Sequence, residues 1–127
     1  MNVGLIGYGY WGPNVAKNIY ANKNLRLHTI CDLKQLRLDK AKSLYAEHTG
    51  YETNYEKLLN DPDIHAVAVA VETSSHYRVV KDALLAGKHV YVEKPFTSTV
   101  KEAEELSELA KTRNLIIHVD HIMMYHP

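Results

Sequence analysis

The sequence predicts an α/β fold in which a doubly wound parallel sheet carries helices on both faces. Along all 127 residues, short apolar segments alternate with segments in which apolar residues recur at helical spacing, and this alternation is typical of parallel sheets. Residues 64–71 are almost continuously apolar, as expected of a central strand covered on both faces. The expected strand order is 3-2-1-4-5-6, with a ligand crevice between the first and fourth strands.

The same periodicity places the individual elements. Strands are predicted at residues 3–6, 25–31, 51–53, 64–71, 89–92 and 115–119. Helices are predicted between them. The second helix is expected to bury an apolar stripe made of Leu33, Leu36, Ala41, Leu44 and Tyr45.

Start and stop signals accompany these elements. Ser74 or Ser75 can cap the fourth helix, and Thr99 with the glutamate three residues later has the spacing of a capping box before the fifth. Gly50 and Gly87 are predicted to end the second and fourth helices.

Composition and charge exclude several classes of protein. Fifteen basic and fifteen acidic side chains give a formal net charge of zero, so nothing directs the chain to nucleic acid or an anionic membrane. No apolar run approaches the roughly 20 residues that span a bilayer, and the first residues lack a targeting signal. The length suggests one domain. Cys31 stands alone, so no internal disulfide forms, and we expect a cytoplasmic protein.

Eight histidines raise the question of a metal site. Their positions show neither paired metal spacing on a predicted helix nor an HExxH-type pattern. The sequence therefore predicts no metal.

A glycine turn is the strongest functional signal. Gly7-Tyr8-Gly9-Tyr10-Trp11-Gly12 follows a predicted strand and opens a predicted helix, which is the context of a Rossmann dinucleotide-binding turn. Gly7 would allow the tight turn, Gly9 the approach of the pyrophosphate, and Gly12 the close packing of helix and strand. Tyr10 and Trp11 either cover the cofactor or pack under a partner domain, and the sequence does not favour one role.

Asp32 supplies the acidic partner of this turn. It lies twenty residues after Gly12, at the end of the second predicted strand, where a carboxylate can accept hydrogen bonds from the adenosine ribose. The carboxylate would repel a 2′-phosphate, so NAD is favoured over NADP. Lys34 and Arg37 follow closely and offer an alternative partner for that phosphate.

Glu93-Lys94-Pro95 follows the fifth strand, at the edge where ligands bind in such sheets. Spacing alone favours a surface ion pair with a turn proline. However, the chain as a whole resembles the Gfo/Idh/MocA family of oxidoreductases. The resemblance is carried by residues 3–9, Cys31-Asp32, residues 61–64, residues 86–90, Glu93-Lys94-Pro95-Phe96, and His121 through Tyr125-His126-Pro127. Residues 7–14 with the later Tyr-His-Pro are most similar to the nucleotide-sugar 3-dehydrogenase branch.

The resemblance implies roles for these residues. Lys94 would be a catalytic residue, buried beside the nicotinamide and in contact with the reacting hydroxyl or ketone, with its charged form disfavoured. Glu93 would order the cofactor edge, and the Lys94–Pro95 bond would be cis. His121 would close the pocket as a second catalytic residue. The remaining cofactor contacts implied are Thr73, Ser74 and His76.

Two positions depart from the family pattern. Glu72 stands where the family often has a threonine-proline pair, and Asp120 replaces a glycine before His121. The family pattern does not predict a role for either residue.

The resemblance also implies a second domain. Family members carry a C-terminal α+β substrate domain, which we expect to be absent from residues 1–127, the NAD(P)-binding domain. The expected function is therefore hydride transfer between nicotinamide and a sugar or nucleotide-sugar carbinol or ketone, with the isolated chain inactive alone. The alternative is a stand-alone, non-catalytic dinucleotide-binding or regulatory module. The face that a second domain would cover could drive self-association.

Overall fold

The computed structural model describes residues 1–45 and 47–120, and over these ranges six parallel strands form one sheet in the order β3-β2-β1-β4-β5-β6. The predicted doubly wound α/β fold is thus confirmed. The strands are β1 (Asn2–Ile6), β2 (Arg26–Cys31), β3 (Gly50–Glu52), β4 (Ala66–Val69), β5 (His89–Glu93) and β6 (Ile117–Asp120). The helices are α1 (Gly12–Ala21), α2 (Gln35–Tyr45), α3 (Tyr55–Leu59), α4 (Thr73–Leu85) and α5 (Val100–Thr112).

Two apolar cores lie on opposite faces of the sheet. Successive side chains of a strand point to opposite faces, so Ala68 belongs to the core with α1 and α2, whereas Val67 and Val69 belong to the core with α3, α4 and α5. Val67, Val69 and Val92 are at most 1% exposed. The nearly continuous apolar sequence of β4 is explained by this coverage on both faces.

The predicted buried stripe of α2 is wrong in part. Leu33, Leu36 and Leu44 are 87%, 77% and 66% exposed, and the helix instead buries Leu38, together with the predicted Ala41 and Tyr45. Many apolar residues in this segment give more than one helical stripe, and packing against β2 selects the stripe that contains Leu38.

Three element boundaries also differ from the prediction. α4 begins at Thr73 and its N-cap residue is Glu72, two or three residues before the predicted serine caps. Gly50 begins β3 rather than ending α2. β4 is shorter than residues 64–71 because only residues 66–69 pair with the neighbouring strands.

The predicted stop at Gly87 is confirmed, and the predicted capping box is confirmed for the Thr99 side chain, whereas Glu102 Oε1 is buried without a hydrogen-bond partner among the described residues. The Thr99 hydroxyl accepts a hydrogen bond from the backbone N–H of Glu102 at 3.1 Å, as an N-cap should. Gly87 follows α4 with a φ of +80°, the conformation that favours glycine after a helix. None of the helices in the described ranges has the length and apolar character to cross a membrane.

Candidate functional site: the carboxyl edge of the sheet

The candidate site lies where the parallel strands end. Ile6 pairs with Cys31 on one side and with Val69 on the other, and Val69 pairs with Val92. The segments that follow β2, β1, β4 and β5 therefore meet at one edge. Since neighbouring strands are about 4.8 Å apart, Asp32 and Lys94 stand about 14 Å apart along this edge. The strand order reverses between β1 and β4, so the edge is a topological switch point.

The glycine turn has no room for side chains at two positions. Gly7 has a φ of +104°, and a Cβ on it would collide with the carbonyl group of Ala70 in the segment after β4. A Cβ on Gly12 would collide with the carbonyl group of Gly7. These are the positions predicted to allow the tight turn and the close packing of α1 on β1.

The N-terminus of α1 follows this turn. Within the described ranges, no side chain caps this end, and its first turn holds no acidic residue. The uncapped N–H groups and the positive end of the helix dipole make it suited to an anion such as a pyrophosphate.

Tyr10 and Trp11 lie on the surface of the turn. The Tyr10 side chain is 85% exposed and meets the half-buried Trp11 edge to face, with ring centroids 4.9 Å apart. The exposure agrees with either role predicted for this pair.

Asp32 is held by the main chain. The residue is 7% exposed, Oδ2 accepts a hydrogen bond from the backbone N–H of Tyr8, and Oδ1 accepts one from the backbone N–H of Lys34, both at 2.8 Å. Each carboxylate oxygen can accept two hydrogen bonds. Oδ2 also accepts one from Arg37 Nη1 at 3.5 Å, so Oδ1 retains capacity for a ribose hydroxyl. The carboxylate thus connects the glycine turn to the end of β2 in a fixed orientation.

Arg37 places a positive charge beside this carboxylate. Its Nη1 lies 3.5 Å from Asp32 Oδ2, and a Cβ on Gly9 would lie 3.2 Å from the same nitrogen. The guanidinium therefore extends from α2 across the middle of the glycine turn. It lowers the electrostatic penalty that Asp32 alone would impose on a 2′-phosphate.

Cys31 lies beneath the site. Its backbone carbonyl accepts the N–H of Gly7 at 2.8 Å, and its thiol is buried. Burial, with the nearby negative charges of Glu52 and Asp32, raises the pKa of the thiol to about 12. A neutral, buried thiol is a poor nucleophile, so Cys31 serves packing rather than chemistry.

The Glu93-Lys94-Pro95 segment leaves β5 at the same edge. The Lys94–Pro95 peptide bond is cis, as the resemblance predicted. Glu93 is half-buried, but Lys94 is exposed. Lys94 is thus exposed among residues 1–45 and 47–120, and its burial beside a nicotinamide stays a prediction.

The segment after β4 divides the three residues predicted to line the cofactor. Thr73 and Ser74 form the first turn of α4 at the carboxyl edge, where Ser74 is exposed. His76 points the other way. Its side chain is 2% exposed, and its ring nitrogens face the carbonyl oxygens of Val71, Pro95 and Phe96. The ring of His76 thus contacts two loops, and its predicted contact with a cofactor stays a prediction.

Asp120 and Glu72 also lie at this edge. Asp120 ends β6 opposite Glu93, and Glu72 is an exposed N-cap residue of α4 without a capping side-chain hydrogen bond. His121 lies outside the described residues, so its predicted catalytic role stays a prediction.

A second group of polar side chains lies at the opposite edge of the sheet. One ligand atom from each of His28, Asp61 and Asp63 lies within 4.8 Å of the others, although the spacing in the sequence predicts no metal site. Asp61 also accepts the backbone N–H of Asp63 at 2.9 Å. Nearby, the Lys88 ammonium group donates to the carbonyl oxygens of Asp61 and Ile64, each at 2.7 Å. These contacts order the loop before β4.

Sequence reasoning missed the backbone groups of the site. The N–H of Tyr8 orients Asp32, and the carbonyl groups of Pro95 and Phe96 hold His76. Main-chain groups are present at every residue, so no signal in the sequence could have selected these.

Comparison with known proteins decides the family. A model of an oxidoreductase family, described as its NAD-binding Rossmann fold, matches residues 1–121. The chain belongs to the Gfo/Idh/MocA family. It is an NAD(P)-binding oxidoreductase domain of that family, and the predicted resemblance is confirmed.

Relatives of this family domain are considerably longer. A UDP-N-acetylglucosamine 3-dehydrogenase of Acidithiobacillus ferrooxidans is 30% identical over 128 aligned positions, which cover 100% of this chain and 39% of that protein. The chain spans between 21% and 39% of the length of the curated relatives compared with it.

Solved structures agree with this assignment. A 3-ketoreductase mutant from Actinomadura kijaniata, in complex with TDP-benzene and NADP, matches with a TM-score of 0.90 and 26% identity over 100% of this chain and 39% of that one. A biliverdin reductase from Synechocystis, in complex with biliverdin and NADP+, matches with a TM-score of 0.89 and 27% identity over 97% of this chain and 38% of that one.

Proposed function

We propose that this domain serves an oxidoreductase that transfers a hydride between a nicotinamide dinucleotide and a sugar or nucleotide-sugar carbinol or ketone. The observation that carries the proposal is the fixed, buried carboxylate of Asp32 beside a glycine turn that excludes side chains. The substrate class is supported by the dehydrogenase and ketoreductase named above, both of which act on or bind nucleotide-linked ligands by their descriptions.

The residues of this chain fit a dinucleotide. The glycine turn and the N-terminus of α1 would bind the pyrophosphate, and Asp32 would accept hydrogen bonds from the adenosine ribose. Thr73, Ser74 and Glu93 would contact the half of the cofactor that lies toward β4 and β5. The nicotinamide, when bound, supplies the hydride exchange.

Lys94 is proposed as the residue that acts on the substrate. Its Nζ would hold or transfer the proton of the reacting hydroxyl, a role that general acid–base catalysis gives to a positioned amine. His121 is proposed to close the same pocket. Orientation of the substrate requires more surface than this edge offers, so we propose that a substrate domain supplies it and that the chain alone does not turn over.

We propose a preference for NAD over NADP, weakened by Arg37. Titration of NADH and NADPH into the 127-residue protein by calorimetry tests this. We expect D32N to weaken NADH binding about tenfold or more, because hydrogen bonds to a charged group contribute roughly 1.5–3 kcal/mol, and to weaken NADPH less. R37A should weaken NADPH binding more than NADH binding.

D39N is the matched control for D32N. Asp39 is an exposed carboxylate on α2 that pairs with Gln35, so its loss should leave both affinities unchanged. Equal loss of NADH and NADPH in D32N would remove the specificity argument. Failure of the unmodified protein to bind any of the four nicotinamide dinucleotides would overturn the proposed function.

A non-catalytic module remains the competing proposal, and the exposure of Lys94 in this chain favours it. Adding a substrate domain in trans and comparing turnover with K94A separates the two, because a module gives Lys94 no chemical role. We also propose a cytoplasmic location, supported by the free thiol of Cys31 and testable by cell fractionation. Self-association through an uncovered face stays a prediction that sedimentation velocity can check.

A further inference from the structure

His76 is a polar side chain in an otherwise apolar part of the molecule. It lies in the first turns of α4, is 2% exposed, and is among the largest fully buried side chains of the chain. Its neighbours along the helix, Val79 and Val80, belong to the apolar core. A buried imidazole in such surroundings requires partners for both ring nitrogens.

Its partners are three backbone carbonyl groups. Nε2 lies 2.9 Å from the oxygen of Val71, while Nδ1 lies 2.9 Å from the oxygen of Pro95 and 3.0 Å from that of Phe96. A carbonyl oxygen only accepts hydrogen bonds, whereas a neutral imidazole has an N–H at one nitrogen and a lone pair at the other. Donation at both ends therefore requires a ring with an N–H on each nitrogen.

The two ends of the ring contact different loops. Val71 belongs to the segment between β4 and α4, and Pro95 and Phe96 directly follow Lys94. The ring is buried beneath these loops, so it acts on the candidate site only through them. Three carbonyl dipoles directed at a ring with two N–H groups would favour that ring in the interior, since hydrogen bonds strengthen in a low-dielectric interior.

We propose that His76 is a positioning residue, which donates hydrogen bonds from both ring nitrogens and thereby fixes the Lys94 loop against the segment after β4. The proposal deepens the proposed function, on which it rests for what Lys94 does. It concerns the geometry of the loops, which is measurable without cofactor or substrate.

Nitrogen-15 NMR of the unmodified protein, labelled in its histidines, tests the donor state near neutral pH. We expect both ring nitrogens of His76 to show shifts of protonated nitrogen, with N–H protons that exchange slowly with solvent. H76N identifies the resonances by their loss. A ring with one lone-pair nitrogen would overturn the proposal.

Hydrogen exchange with mass spectrometry tests the positioning role. H76L removes both donors at similar side-chain volume, and H76N keeps an amide nitrogen near the place of Nδ1. We expect H76L to speed exchange in residues 93–97 about tenfold or more, with smaller change in H76N and none in the glycine turn.

V80A is the matched control, because Val80 lies one turn further along α4, is 0% exposed and contacts the same core. V80A should lower the free energy of unfolding without a preferential increase of hydrogen exchange in residues 93–97. Equal acceleration in V80A and H76L would overturn the positioning role. NADH titration of the unmodified protein tests the proposed function separately. Failure of the proposed function is therefore distinguishable from failure of the positioning role of His76.

Discussion

The two ends of the carboxyl edge differ in how much of their order this chain supplies. At the β2 end, Asp32 is buried and both its oxygens accept backbone hydrogen bonds. At the β5 end, Lys94 is exposed, and His76 holds the loop around it from below. The proposed binding of the adenosine half of a cofactor thus rests on groups that this chain orders by itself, whereas the chemistry proposed for Lys94 requires that a further surface cover it.

The largest effect is expected in the glycine turn, next to Asp32. In G12A, the new Cβ would collide with the carbonyl group of Gly7, and neither backbone segment can move without separating α1 from β1. We expect the free energy of unfolding in urea to fall by about 3 kcal/mol, at the upper end of overpacking effects, and NADH binding to be lost.

G50A provides the comparison for G12A. A Cβ on Gly50 would meet the Thr29 hydroxyl at 3.3 Å, a contact that small shifts relieve, so we expect a change below about 1 kcal/mol. Similar losses in both variants would mean that the glycine turn is no tighter than a strand.

By pH 10, a smaller effect of about 1.4 kcal/mol reports on Cys31, which lies beneath the site. Its pKa is raised from 9.0 to about 12, so the folded state holds the thiol proton more tightly than the unfolded state does. This contribution to stability is fully present below pH 9.0 and is lost as the pH rises toward about 12, at roughly 1.4 kcal/mol per pH unit. Urea unfolding of the wild type and C31A across this range measures the difference. The tyrosines titrate in both proteins, so parallel pH profiles would contradict the raised pKa.

The smallest effect is expected at the β5 end of the edge, where Lys94 is exposed. K94A should change the free energy of unfolding by less than about 0.5 kcal/mol, as for most surface substitutions, and NADH affinity by less than about threefold. K101A, which removes an exposed lysine of α5, controls for the change in net charge. A loss of NADH affinity as large as that in D32N would contradict the difference between the two ends, because Lys94 would then contribute as much to NADH binding as Asp32.

Topology and the glycine turn were predictable because both rest on local patterns. Alternating strand and helix periods determined the strand order, and the spacing from Gly12 to Asp32 identified the acidic residue. The buried stripe of α2 was predicted incorrectly because surplus leucines gave no unique face. The resemblance implies a cofactor contact for His76, but it does not predict the burial of the ring, because whether a side chain turns toward solvent or core depends on packing.

The pairing of Glu93 with Asp120 has a consequence for assembly. Because β6 runs parallel to β5, Asp120 lies one strand spacing, about 4.8 Å, from Glu93 and next to the segment that carries Lys94. Any segment joined after residue 120 is therefore tethered close to Lys94. Such tethering gives a high effective concentration with little linker, so even weak intrinsic affinity for this edge would suffice to cover the lysine.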